Sequence, residues 1–128
     1  MTMPTPVSFT DRELDVMAVL WELGSATVAD VRERLADPLA YTTVLSVLRT
    51  LEEKGHVGHT EEGKAHRYTP LVERRAAGRS ALARLIDKVF AGSPEMLLAQ
   101  LVGDRDLSSE ELRRLRKLVD ERLEEDAP

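Results

Sequence analysis

The sequence predicts a mostly α-helical fold with one small β-hairpin, and three observations carry that reading. Apolar residues recur at helical spacing in three short segments before residue 55. A period of two then takes over in residues 56–60 and 65–69, on either side of a turn that contains Gly63. Beyond Pro70 the helical period returns and holds to the end of the chain. The 128 residues suit one small domain with an appendage, expected as residues 1–70 and 71–128.

Residues 1–8 contain Pro4 and Pro6 and read as a frayed arm. Thr10 is then a favourable N-cap. Glu13, at the third helical position, completes a capping box, and Phe9 and Leu14 are placed to close a hydrophobic staple. Leu14, Met17, Ala18 and Trp21 form the apolar side of this first helix, which Gly24 stops. The second helix repeats the pattern, with Thr27 as cap and Asp30 answering it. Its apolar face is Val28, Val31 and Leu35, and Asp37-Pro38 ends it because the residue before a proline is pushed out of helical space. The third helix spans residues 40–54, with Val44, Leu45, Leu48 and Leu51 as its buried stripe and Gly55 as its stop. Three short helices on tight connections follow helix-turn-helix grammar. Two strands around Glu61-Glu62-Gly63-Lys64 add a hairpin, and the sum is a winged helix-turn-helix.

After Pro70 a long helix is expected over residues 72–91, ended by Gly92. Pro94 opens a short helix through Val102, residues 103–106 form a turn, and Ser108 with Glu111 caps the last helix. Leu82, Leu85, Ile86, Leu97, Leu98, Leu101, Leu112, Leu115, Leu118 and Val119 are a large apolar complement for so short a segment. Burying each such side chain contributes roughly 1.5–3 kcal/mol. A thin layer of three helices leaves one side wet, so these residues predict a helical dimerisation region with a second copy as the cover. The competing expectation is a monomeric helical subdomain.

Composition narrows the function. A chain 42% hydrophobic and 32% charged is expected to be globular rather than disordered. No apolar run approaches the ~18–20 residues of a membrane span, and residues 1–10 lack a secretion-signal pattern, so a cytoplasmic location is expected. The absence of cysteine excludes disulfides, thiol nucleophiles and thiolate metal sites. No nucleophile has a positioned base, no glycine-rich phosphate loop is present, and no metalloprotease motif occurs. The expectation is no enzyme, no cofactor and no metal. His56, His59 and His66 all fall in the hairpin, but the odd separation of His56 and His59 turns them to opposite sides of a strand.

A recognition helix enters the major groove of DNA by its N-terminal part. Here that part offers Tyr41, Thr42 and Thr43, followed by Ser46, Arg49 and Thr50. Hydroxyls reach phosphates or base edges, a threonine methyl fits a thymine methyl, and an arginine takes a phosphate or a guanine. Residues 40–51 contain Arg49 and no acid. Lys54, Lys64, His66 and Arg67 add polar and cationic groups at the helix end and on the wing, opposed by Glu52, Glu53, Glu61 and Glu62. The net charge of −5 points the other way, toward a winged helix used as a protein–protein adaptor; one charged face, rather than the total, decides between them.

The segment Leu39-Ala40-Tyr41-Thr42-Thr43-Val44, then Leu48, Leu51 and Lys54-Gly55, joined to the wing Gly63-Lys64-Ala65-His66-Arg67-Tyr68-Thr69-Pro70, resembles the penicillinase-repressor family of the BlaI/MecI/CopY type. The stretch from Glu13 to Trp21 is similar too, while the C-terminal half matches in pattern only. The resemblance implies a homodimeric transcriptional repressor on a palindromic operator, and regulation of antibiotic resistance. It also implies that Thr42, Thr43 and their neighbours face the groove, with Lys64 and Arg67 near the backbone. In the β-lactam branch it implies a membrane sensor-protease that triggers cleavage of the repressor's C-terminal region. Two departures limit the transfer. The copper-responsive branch uses paired cysteines and this chain has none; the asparagine–phenylalanine cleavage position has no counterpart in a chain without asparagine.

Overall fold

The computed structural model describes residues 7–104 and 106–128. The first six residues of the expected N-terminal arm, and Arg105 of the expected turn, lie outside them. The chain divides into two compact units, one up to Ala83 and one from Arg84 onward.

The N-terminal unit runs α1 (Asp11–Leu23), β1 (Ala26–Thr27), α2 (Val28–Arg34), α3 (Tyr41–Glu53), β2 (Val57–Glu62), β3 (Ala65–Pro70) and the first part of α4 (Arg74–Val89). The strands form an antiparallel sheet in the order β1-β3-β2. This is a winged helix with one strand more than the hairpin predicts. Thr27 explains the economy of the extra strand: its backbone pairs with Arg67 while its side chain accepts the Asp30 N–H and caps α2. The wing is also longer than expected. β2 and β3 continue to Glu62 and from Ala65, so the four-residue turn shrinks to Gly63-Lys64. Gly63 takes a φ of 62°, which a two-residue hairpin requires at its first central position and which glycine adopts without steric cost.

The core gathers Val16, Met17 and Leu20 of α1, Val28 and Val31 of α2, Val44, Leu48 and Leu51 of α3, with Ala26, Val57 and Tyr68 from the sheet. The α3 stripe is the expected one apart from Leu45, which is half-buried at its edge. The α1 stripe is rotated. Leu14 and Ala18 are exposed, and the buried side is Glu13, Val16, Met17 and Leu20. That face carries Val16, Val19 and Leu20, which the expected stripe omits, and Glu13, an acid that the fold buries to 4% exposure. Its carboxylate accepts the Thr10 N–H at 2.8 Å and both oxygens lie 2.9 Å from Lys54 Nζ, so the buried charge is fully answered.

Several boundaries also shift. α2 ends at Arg34, because Leu35 has already turned extended (φ −68°, ψ 134°) before Asp37-Pro38. α4 begins at Arg74 rather than Val72, whose carbonyl accepts the Trp21 indole N–H at 2.8 Å. The Phe9 ring stands edge-on to Trp21, 6.3 Å away, and Arg74 lies over the indole at 5.6 Å, so the start of α4 is latched onto α1. α4 closes at Val89, where the Gly92 N–H reaches back to the Ile86 carbonyl.

The C-terminal unit completes α4 and adds α5 (Pro94–Asp104) and α6 (Ser109–Glu125). α5 runs two residues beyond the expected Val102, since Gly103 stays helical. The Ser108–Glu111 capping box forms as expected. No described residue from Arg84 onward is buried. No helix among the described residues is long and apolar enough to cross a membrane.

Candidate nucleic-acid interface

The geometry of α3 follows from its core stripe. With Val44, Leu48 and Leu51 fully buried, a turn of 100° per residue puts Thr42, Ser46, Arg49, Thr50 and Glu53 on the opposite side. All five are exposed. Thr43 is half-buried and shares the flank with Lys54, toward α1, whereas Tyr41 and Glu52 share the flank toward the wing. The expected recognition residues therefore do not form one uniform surface. Thr42, Ser46 and Arg49 are its centre, and Thr43 and Tyr41 are its two edges.

Hydrogen bonding divides them further. The Thr50 hydroxyl donates to the Ser46 carbonyl at 3.0 Å, a bond back into its own helix that leaves the oxygen able only to accept. Lys54 is held by Glu13 on the α1 side. For Glu13, burial alone would push the carboxyl pKa up. The Thr10 backbone N–H, the bonded Lys54 ammonium and its charge, and the Thr10 hydroxyl together outweigh it and bring the pKa below the ordinary value.

On the wing, Arg67 Nε donates to Glu62 at 2.5 Å and its Nη1 donates to Ser25 at 3.3 Å. The bond to Glu62 and its charge hold the guanidinium pKa above the ordinary value. Among the described residues, Arg49 and Lys64 are the cations of the expected surface that make no ion pair. The expected positive patch thus narrows to one group on the helix and one at the wing tip.

The strand register sorts the wing by face. Val57, His59 and Glu61 stand opposite Pro70, Tyr68 and His66, and directly opposed residues point to the same side. Tyr68 is buried to 1% exposure and anchors that face, and burial, with the nearby Glu52 charge, pushes its phenol upward. Outward from Tyr68, the His59 and His66 rings stack at 4.4 Å and 11°. His59 Nδ1 lies 2.5 Å from Glu52 Oε2, joining β2 to α3. His56 precedes β2, its ring 4.8 Å from Phe9, so it parts from His59 because it is not in the strand at all rather than by strand alternation. Sequence reasoning weighed Glu52 only as an opposing charge and His59 only as a hairpin histidine, and missed that the two meet. The alternation Val57-Gly58-His59 carried the signal, but only the register with Tyr68 shows which way it points.

The penicillinase repressor family model matches residues 9–121. The penicillinase repressor of Bacillus licheniformis is 25% identical over 114 residues, covering 88% of this chain and 89% of that protein. The methicillin resistance regulatory protein MecI of Staphylococcus aureus (strain N315) is 24% identical over 112 residues, covering 86% and 91%. Among solved structures, the DNA-binding domain of the repressor BlaI is 29% identical with a TM-score of 0.51, covering 58% of this chain and 93% of that one. A winged helix with an exposed hydroxyl-rich third helix, matched over most of its length by these repressors, places this chain in the penicillinase repressor family of DNA-binding transcriptional regulators.

Proposed function

We propose that the chain acts as a homodimeric repressor on a palindromic operator, with α3 in the major groove and the wing beside it on the backbone. The exposed face of α3 carries this reading: Thr42, Ser46 and Arg49 stand together, and no acid occupies the first three turns. Few cations support each half, so two half-sites bound together compensate for a weak single one, and affinity falls with salt. The relatives control penicillinase and methicillin resistance, and the regulated genes in this reading are resistance genes.

Dimerisation is supported by the C-terminal unit itself. Leu85, Leu98, Leu101, Leu112, Leu118 and Val119 are exposed, with Leu82 just before the unit also exposed, while Ile86, Leu97 and Leu115 are half-buried. A helical unit without a buried side chain gains its core from a second copy. In this reading residues 1–70 serve DNA and 71–128 serve pairing, although the first part of α4, up to Ala83, belongs to the compact N-terminal unit.

The test is a footprint on the promoters flanking the gene, at two salt concentrations, with Arg49→Ala and Thr43→Ala beside the parent chain. A palindromic protected stretch that fades with salt and shrinks or vanishes in both variants is expected. The adaptor reading, favoured by the net charge of −5, predicts no protection even at low salt.

A further inference from the structure

We propose that the stacked His59–His66 pair is a proton-linked phosphate site, taking up one proton when a DNA backbone phosphate enters the angle between α3 and the wing. The inference rests on the operator reading above and adds a ligand chemistry and a pH dependence to it.

Position comes first. Glu52 on α3 is bonded to His59 on β2, so the pair lies on the wing face turned toward the recognition helix, farther out than buried Val57 and Tyr68. A helix in the major groove is flanked by the two sugar-phosphate strands. An element standing beside that helix therefore meets phosphate before it meets bases.

Chemistry comes second. His59 is engaged through Nδ1 by Glu52, whereas the ring nitrogens of His66 make no hydrogen bond among the described residues. His66 is half-buried and stacked, with donor capacity to spare. Of the charged and titratable groups near the pair, Glu52 of α3 is bonded to His59, Glu61 stands opposite His66 on β2, and the Tyr68 ring lies 5.6 Å from His59 and 6.4 Å from His66, with Arg49 and Tyr41 of α3 acting on Tyr68. Arg67 is drawn to Glu62 and Ser25 instead. The Glu61 and Glu52 carboxylates oppose an incoming phosphate. One imidazolium offsets that repulsion and supplies an N–H donor. A second is opposed by the first, since two like charges in rings 4.4 Å apart repel at any plausible dielectric. The complex accordingly holds one proton more than the free protein, and binding tightens as pH falls through the histidine range.

The test uses the full chain and a labelled duplex selected by it from a randomised library, with affinity read by fluorescence anisotropy at about pH 8 and about pH 6 at constant ionic strength. Binding about sixfold tighter at the lower pH is expected, the effect over this interval of one proton held about one pH unit more firmly in the complex. His66→Gln is expected to flatten the profile. Since the chain has three histidines, their ring signals can also be followed by NMR in the parent protein, with no variant that must fold; the His66 midpoint is expected to rise when the duplex is added. Equal affinity at both pH values, or a His66 midpoint unmoved by DNA, overturns the proposal while leaving the operator reading intact. No binding at either pH overturns the operator reading itself.

Discussion

Lys54 and Glu13 show how the meaning of a residue changes between the chain and the fold. On the sequence Lys54 is a cation at the end of a recognition helix; in the fold both oxygens of a buried carboxylate hold it. Lys54→Ala is therefore expected to destabilise the N-terminal unit by about 1–3 kcal/mol, because it strips a bonded partner from a buried acid. Urea denaturation measures this, and unchanged stability with collapsed DNA affinity would make Lys54 a DNA contact rather than a strut. The same pair sets an acid limit. The folded pKa of Glu13 lies below its ordinary 4.5, so its contribution is complete above that pH and is lost as pH falls through the lower folded value. Denaturation curves stepped downward from about pH 5 are expected to fall more steeply for the parent chain than for Glu13→Gln; parallel curves would remove the linkage.

At the scale of elements, local signals are read well and pairings poorly. The capping boxes at Thr10–Glu13, Thr27–Asp30 and Ser108–Glu111 all form, because each involves residues three apart and depends on nothing distant. β1 was not legible. Two residues have no period, and Ala26–Thr27 is a strand only because Tyr68 and Arg67 lie beside it. The hairpin turn is a local feature with a sharp test. No atom would obstruct a Cβ at Gly63, so the penalty for Gly63→Ala is conformational alone. A loss of about 1 kcal/mol is expected from the positive φ, visible as a lower thermal midpoint. No loss would mean that the turn readily adopts another conformation.

At the scale of the whole molecule the question is what covers the C-terminal helices. α5 and α6 leave a groove whose apolar floor is Leu101, Leu107, Leu115 and Leu118 and whose rim is Glu111, Arg114, Lys117 and Glu121. Leu118 is 63% exposed and Leu123 64% exposed. Leu115→Glu puts a charge in the middle of that groove, and sedimentation is expected to show monomer or insoluble chain. A dimer in both the parent chain and the variant would move the proposed interface away from α6, and a monomeric parent chain would remove it.

The sequence by itself determined the order of helices and hairpin, the caps, the α3 core stripe and the hydroxyl-rich face opposite it. These follow largely from periods and spacings within one element, whereas the α1 stripe, read from the same period, is rotated in the fold, where Glu13 is buried and paired with distant Lys54. Only the tertiary structure decided which cations stay unpaired, that Glu13 belongs to the core, and that His59, His66 and Glu52 meet. Each of those depends on side chains from different elements coming within a few ångströms. Charge pairing and ring stacking are short-ranged, and the chain order carries no distance between α1 and α3 or between α3 and the wing.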